Sequence, residues 1–598
     1  MKKLVFNETT KESFVCPRTN ADLYYKDNKL VIDLSYNGAF GFGEKYNRIN
    51  QKGNEVINKV QEQFCFQNDK TYAPNPFFFT DTGFGLFLNT NEITSFKFND
   101  NSIEVSLKKD TNIVVFIGEP KEIISEYMSL FEKAVLPPSW AFGTWISANR
   151  WNSQKEALEQ IDKLKKYDYP ASVIVLEAWS DEATFYIFNG AKYKEKENNE
   201  AFSYDDFDFS NSIWPNPKEM IDELHKAGLH LILWQVPVYK KQGSDEIINK
   251  QNDLDKEYVI KNKLCVMNND DSAYEIPEGH WFSGSLIPDF TNKETVKHWF
   301  GSRKYLLDIG VDGFKTDGGE FIYSDEVKFQ DGSKGTEGLN RYPLDYTKAY
   351  HNFIGEKRVL FSRSSYAGSH TVPIHWAGDQ QSQNSELKHA LLAGLSGGLS
   401  GMIFWGFDLA GFAGPLPTLD LYRRATQMAC FTPIMQWHSE PDGGQFKEIM
   451  SGGNETNNER SPWNIAEVYN CPEFIDEMRF YHKFHDSLRP YIEYNAKLCV
   501  ENNKPMIRAL VYDYPKDIEV INIEDEYMFG DALLVCPLLE ENSKQREVYL
   551  PYGNWRGLFD KKEYKGNSRI IVNMDDKIPV FINKDADNKQ LELIEDYD

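Results

Sequence analysis

Three times between positions 150 and 320 the chain repeats one local pattern: a capping residue, an amphipathic helix, a helix-stopping residue and a short apolar strand. In the first copy Ser153 and Glu156 have capping-box spacing, Leu158, Ile161 and Leu164 form the apolar stripe, Pro170 stops the helix, and 171–176 reads as a strand. In the second, Asn216 is the cap, Pro217 opens the helix, Gly228 ends it and 229–236 is the strand. The third runs from Asn292 through a helix to Ile309, then Gly310 and a strand at 311–316. Further strands are expected at 358–362 and 401–407. Repeated units of this kind force parallel pairing, because each helix carries the chain back before the next strand begins. Over roughly 370 residues the α/β pattern predicts a (β/α)8 TIM barrel with insertions. A doubly wound sheet is the rival, but no GxGxxG or phosphate-binding loop follows any strand.

The flanks have a different texture. Up to about residue 116 short alternating strands (29–34, 84–89, 103–107) are separated by turn chemistry such as Asn37–Gly38, which predicts an antiparallel β-sandwich. Ile123, Ile124, Tyr127, Met128 and Phe131 mark an amphipathic linker helix, stopped by Pro137–Pro138. Past about 515, strands at 532–535 and 547–550 with a Pro-Tyr-Gly turn predict a small C-terminal β-domain. The expected division is 1–133 for sandwich and linker, 134–514 for the barrel and 515–598 for the last domain. A polar insertion at about 239–286 follows the third barrel strand, where long loops commonly wall an active site. The glycine-rich stretch 394–414 reads as packed barrel strand and turn.

Composition narrows the partners. Sixty-six basic against 91 acidic residues give a net charge of −25, which disfavours nucleic acid and anionic membrane surfaces and suits a neutral substrate. Seven scattered cysteines, none with CxxC or zinc-type spacing, predict neither a disulfide framework nor a metal site. The start, MKKLVFNETTKE, lacks the apolar run of an export signal, so a cytoplasmic protein is expected. Oligomeric state is left open, a homo-oligomer being compatible with the sequence.

The chemistry centres on FKTDGGE (314–320) and HWAGD (375–379). Asp317 falls at the end of the fourth barrel strand, the rim where barrel enzymes place catalytic groups. Asp379 follows Trp376 and Gly378. Two carboxylates carried by different strand ends of one barrel are what cleavage of a glycosidic bond requires. Asp317 would attack the anomeric carbon, and Asp379, desolvated by Trp376, would serve as acid and then base. The plain alternatives are an N-cap for Asp317 and a loop aspartate bonded to its own backbone for Asp379. Lys315 and Arg363 could donate to sugar hydroxyls or form a structural ion pair. Trp234 and Trp179 could cover a sugar ring or simply pack; His438 could bind hydroxyls or be satisfied by its surroundings. A Schiff-base lyase using Lys315 and an inactive sugar-binding protein are the readings from other classes.

The motifs together resemble glycoside hydrolase family 31, the retaining α-glycosidases. GFGEKYN (41–47), YAPNPFFFTDTGFGLFLNT (72–90) and LPPSWAFGTW (136–145) are similar to its sandwich and barrel entry. FKTDGGE, RSSYAGS, HWAGDQ and GLSGGLSGMIFWGFDLAGF follow in its order, then YMFGDALLVCPLL and YLPYGNW of its C-terminal domain. The resemblance implies Asp317 as nucleophile, Asp379 as acid/base, and Lys315, Arg363, Trp376, His438 and Trp234 around the sugar. It implies double displacement through a covalent glycosyl-aspartate and no metal or organic cofactor. The expected activity is exo-acting release of a non-reducing-end sugar, α-glucoside foremost. Xyloside, galactoside and N-acetylgalactosaminide specificities, and transglycosylation, are the alternatives. Many members carry an aspartate at the end of strand two to grip distal hydroxyls. Here VLEAWSDE places Glu177 there, followed by Trp179, so a differently shaped sugar subsite is expected.

Overall fold

The computed structural model describes residues 1–197, 200–244, 246–440, 457–573, 577–586, 589–591 and 594. The N-terminal part is a sandwich of two antiparallel sheets. One has five strands in the order Lys2–Val5, Asn112–Ile117, Phe84–Asn89, Pro74–Thr80, Ala39–Gly43. The other has six, from Lys11–Val15 through Asn20–Lys26, Lys29–Asp33, Ser102–Ser106 and Thr94–Phe98 to Glu55–Asn58. Phe42, Phe78, Phe96 and Phe98 interlock between the layers at ring separations of 5.0–5.7 Å. Such offset and edge contacts stabilise beyond simple burial. The linker helix spans Pro120–Met128, with Phe131 just past its end and packed on Tyr127.

Eight parallel strands follow, designated β1 (Thr144–Ser147), β2 (Val173–Leu176), β3 (His230–Gln235), β4 (Gly313–Thr316), β5 (Val359–Ser362), β6 (Ile374–Trp376), β7 (Phe404–Gly406) and β8 (Met435–Trp437). They pair in chain order, β8 returns beside β1, and a parallel bridge between Asp408 and Gln436 links the β7 edge to β8. The result is the predicted TIM barrel. Strand β2, Val-Ile-Val-Leu, is buried throughout, as expected where both faces are covered.

The predicted caps form. Ser153 Oγ accepts from Glu156 N at 3.3 Å, Asn216 Oδ1 from Glu219 N at 3.2 Å and Asn292 Oδ1 from Glu294 N at 3.0 Å. Two expectations need correction. The third helix breaks into Lys293–Gly301 and Lys304–Asp308, because the side chain of Arg303 turns inward to Gln235 Oε1 (2.7 Å) at a weak Gly-Ser step. The stretch 394–414 is only partly strand: its first residues end a helix, Asn384–Gly398, and β7 comes later. Gly394 is there for close approach, since a Cβ would lie 2.8 Å from the Trp405 ring.

The insertion after β3 contains a helix, Lys250–Lys261, and returns Gly279–Phe282 to the barrel mouth. Helices fill 462–502, and a six-stranded C-terminal sheet takes its first strand from Ile507–Ala509. At the opposite, amino-terminal end of the barrel, Asp312 accepts from His225 (2.7 Å), His230 (3.0 Å) and Leu231 N (2.8 Å), tying a helix to β3 and β4. Among the described residues this is the one cluster with metal-ligand spacing. Among them, too, no helix is long and apolar enough to cross a membrane.

Sandwich and barrel meet through buried polar contacts. Trp405 Nε1 donates to Glu44 Oε1 (2.9 Å), and the Tyr46 hydroxyl lies between Glu44 (3.1 Å) and the Ala377 carbonyl (2.8 Å). Burial pushes the Glu44 carboxyl up to about 8, against the pull of Trp405 and Tyr46. Its folded value exceeds its unfolded one, so its stabilising contribution is complete below about pH 4.5 and is lost as pH rises toward 8. Glu44→Gln should flatten this dependence. Between pH 5 and 8 the wild type is expected to lose up to about 1.4 kcal/mol per pH unit relative to the variant, measured by denaturant unfolding.

Candidate active site

Strand β4 delivers Asp317 in a fixed pose. The Asp317 backbone N–H donates to Gln235 O (2.9 Å), continuing the ladder with β3 one residue past the strand. The chain then turns away through Gly318 and Gly319, whose φ values of 72° and 105° favour glycine; a Cβ at Gly319 would meet Ser364 Oγ at 2.3 Å. Asp317 Oδ1 accepts from Gly318 N (2.8 Å) and faces Arg363 Nη1 (3.1 Å); Oδ2 accepts from Trp234 Nε1 (2.9 Å). Donors on both oxygens hold the carboxylate in one orientation, as a nucleophile needs.

Asp379 follows β6 after Gly378, which has φ 72° and sits so close to Tyr72 of the sandwich that a Cβ would be 2.3 Å from the ring. Its carboxyl is raised well above the ordinary range, chiefly by burial and further by the charges of Asp317 and Asp408, against the pull of Arg363. The shift favours the protonated acid, the form that donates to a leaving oxygen. Arg363 Nη1 lies 3.1 Å from Asp317 Oδ1 and 3.8 Å from Asp379 Oδ2. Those oxygens are therefore no farther apart than the two distances laid end to end, about 6.9 Å. That proximity admits the roughly 5–5.5 Å carboxyl separation of retaining enzymes.

Arg363, at the end of β5, organises the floor. Its Nε and Nη2 hold Glu320 in a two-pronged contact (3.2 and 3.0 Å), and Nη2 reaches Glu62 of the sandwich at 3.4 Å. Its plane lies against Tyr72 (4.6 Å) and Trp281 (5.4 Å). Burial raises the carboxyls of both Glu320 and Glu62, the latter to about 7.

A second cation centre lies beside the first. Lys315 Nζ contacts Glu177 Oε1 at 2.6 Å and stands 4.6 Å from the Trp376 ring centre. His438 Nε2 approaches the same Oε1 at 2.9 Å, while Asn149 donates to Oε2 (3.0 Å). Burial alone would raise Glu177; His438 and Lys315 outweigh it and bring the carboxyl down to about 2. Lys315 is displaced upward by Glu177, Asp408 and Asp317 despite its burial. A lysine so held is protonated and is no imine-forming nucleophile, which removes the Schiff-base reading.

A cavity of about 710 Å³ opens over these groups. Asp317, Asp379, Glu177, Trp234 and Arg363 line it; Lys315, Trp376 and His438 are buried beneath. Trp179 does not reach it. It is fully buried, its Nε1 donates to the Trp234 carbonyl (3.0 Å), and it packs on Phe188, so it supports Trp234 from behind. Sequence reasoning missed Glu62, Tyr72, Trp281 and Asp408. Glu320 alone had a signal, its place three residues after Asp317. Asp408 ends β7 with Oδ1 held by Gln436 (2.7 Å).

Known proteins resemble this chain in sequence and fold. Residues 134–494 match the model of the glycosyl hydrolases family 31 TIM-barrel domain, and 503–586 that of the family 31 C-terminal domain. An isomaltosyltransferase of Sporosarcina globispora is 38 % identical over 91 % of this chain and 50 % of its own length. A 1,3-alpha-isomaltosidase of Kribbella flavida is 34 % identical over 86 % of this chain and 71 % of its own. In structure, the cycloalternan-forming enzyme from Listeria monocytogenes, in complex with a pentasaccharide substrate, superposes with a TM-score of 0.89 at 34 % identity, covering 97 % of this chain and 58 % of that one. The chain thus spans little more than half the length of several of these relatives. With the family models covering more than half of its residues, the chain belongs to glycosyl hydrolase family 31.

Proposed function

We infer that this chain cleaves α-glycosidic bonds with retention, and that its donor site takes a two-sugar, isomaltosyl-type unit in preference to a single glucose. Asp317 attacks the anomeric carbon as Asp379 protonates the departing oxygen; Asp379 then takes a proton from water or a sugar hydroxyl as the ester opens. The observation that carries the donor reading is the course of the cavity. Its lining is not confined to Glu177 and the aspartates but includes Asn149 and Asn152 after β1 and Ser180 and Glu182 after β2. Glu177 is itself engaged by Lys315, His438 and Asn149, so it forms a rigid shoulder with polar space beyond it. A sugar carrying a further ring fits such a trough. Relatives named for isomaltosyl transfer and 1,3-α-isomaltoside cleavage support the same reading, and a cycloalternan-degrading enzyme from Trueperella pyogenes has been captured with a covalent intermediate.

The panel that decides between donors compares nitrophenyl α-glucoside, α-xyloside, α-galactoside, α-N-acetylgalactosaminide and α-isomaltoside. The isomaltoside should lead by about tenfold or more in kcat/KM, a difference of about 1.4 kcal/mol in transition-state binding. A preference for the glucoside would overturn the two-sugar site.

Asp317→Ala should lose roughly 10⁴-fold or more of turnover on any of these. Asp379→Ala should keep activity on good leaving groups and gain rate with azide.

Because Asp379 must be protonated, kcat/KM on poor leaving groups should fall as pH rises through its elevated pKa. That limb should be missing in Asp379→Ala.

A further inference from the structure

We propose that Glu62, from the sandwich domain, selects the acceptor that resolves the glycosyl-enzyme: its carboxyl accepts a hydrogen bond from an incoming sugar ring and so favours transfer to sugar over transfer to water. The role rests on the retaining reading above and concerns its second half-reaction.

Glu62 lines the same cavity as Asp317 and Asp379, although it comes from a different domain. Its electrostatic neighbours are Arg363, Glu320 and Asp317. Those of Glu177 are His438 and Lys315. Glu62 meets Arg363, and Glu177 meets Lys315 and His438, so the two glutamates reach the cavity beside different cations. On the donor reading above, Glu177 faces the distal hydroxyls of the donor, and the proposal places Glu62 on the side where leaving and incoming groups pass. Phe64, two residues on, and Phe412 from the loop after β7 pack together and line the cavity there, giving a wall for a sugar face. Among the described residues, the carboxyl of Glu62 has one ion contact, the 3.4 Å approach of Arg363, and no hydrogen bond. Its remaining acceptor capacity faces the cavity, with a side chain 18 % exposed.

The charge state follows the reaction. Groups facing Glu62 are Arg363 from β5, Asp317 and Glu320 after β4, Tyr323 further along that loop, and Tyr72 and Cys65 from its own domain. Burial, Glu320 and Asp317 hold its carboxyl at about 7 in the free enzyme, against Arg363. When Asp317 becomes an ester its negative charge is gone, and Glu62 ionises more readily. The carboxylate is then a stronger acceptor for a ring hydroxyl. In the step itself the acceptor oxygen bonds to the anomeric carbon, the bond to Asp317 breaks with its electron pair returning to that carboxylate, and the acceptor proton goes to Asp379. Glu62 takes no proton from the reacting hydroxyl; it positions the ring that carries it.

The test is product partition. Wild type and Glu62→Gln are given nitrophenyl α-isomaltoside with isomaltose as acceptor, and the initial ratio of transfer to hydrolysis products is measured from pH 5 to 8.5. The wild-type ratio should rise with a midpoint at or below about pH 7. The Gln variant should be flat and about tenfold lower at pH 8, the loss of one charge-assisted hydrogen bond. Nitrophenol release reports glycosyl-enzyme formation and folding separately. A ratio within twofold of wild type across the pH range would sink the proposal. Should the Gln variant not fold, Glu62→Asp carries the same test: a lowered ratio supports the role and an unchanged one overturns it. Failure of the wild type to release nitrophenol would instead overturn the retaining reading, and this role with it.

Discussion

One guanidinium makes the floor of this barrel tenable. Arg363 faces the carboxyls of Glu320, Asp317, Glu62 and Asp379 within 4 Å, and all but the rim of that group is out of water. Carboxylates gathered so closely would neutralise by taking up protons unless a cation offset their burial and repulsion. The offset is unequal. Glu320 takes two prongs, Asp317 sits at 3.1 Å, and Asp379 is left at 3.8 Å. Position around a single cation thus distinguishes the two aspartates: Asp317 is in direct contact with it, while Asp379 lies farther off and burial raises its carboxyl.

The sandwich is part of that arrangement and not an appendage. Tyr72 backs Arg363 and presses on Gly378, while Tyr46 bonds the Ala377 carbonyl two residues before Asp379. The loop carrying Asp379 is therefore shaped by another domain, over a buried Glu44 that Trp405 also holds. A barrel without its sandwich would lose the wall that fixes Asp379. Lys315 and Glu177 form a second pair beside it, and the carboxylate oxygens of Glu177 are already committed to protein donors, so that wall of the cavity is pre-organised.

What could be read in the sequence follows from physical range. The caps at Ser153, Asn216 and Asn292 act within three residues, and each was visible. Strands β3, β4 and β5 sit beside glycines or runs of apolar residues and were also visible, if one or two residues too long. Strands β1, β6 and β8 mix apolar with polar side chains (Thr-Trp-Ile-Ser, Ile-His-Trp and Met-Gln-Trp), so no unbroken apolar run marks them. The site divides the same way. Asp317, Asp379, Arg363, Glu177 and Trp234 stand at or near strand ends, where the barrel itself points to them. Glu62 and Trp281 reach the cavity from a sandwich loop and an insertion, and nothing local in NKVQEQF or EGHWFSG marks them. Trp179 shows the converse: a strand-end aromatic that the fold spends on packing.

The same electrostatics supplies the switch between half-reactions without any group having to move. Forming the ester removes one negative charge from around Arg363, and the guanidinium then acts undivided on the carboxyls that remain. Asp379, raised partly by Asp317, must fall when that charge disappears. On the proposed mechanism it gives its proton to the leaving oxygen in the first step, and the new field favours its base form for the second. Opening the ester restores the charge on Asp317, which raises Asp379 again and readies it to keep the proton it has just taken. A cluster with one cation and several buried acids is thus self-resetting, because each covalent step changes the very charge that tunes its partner.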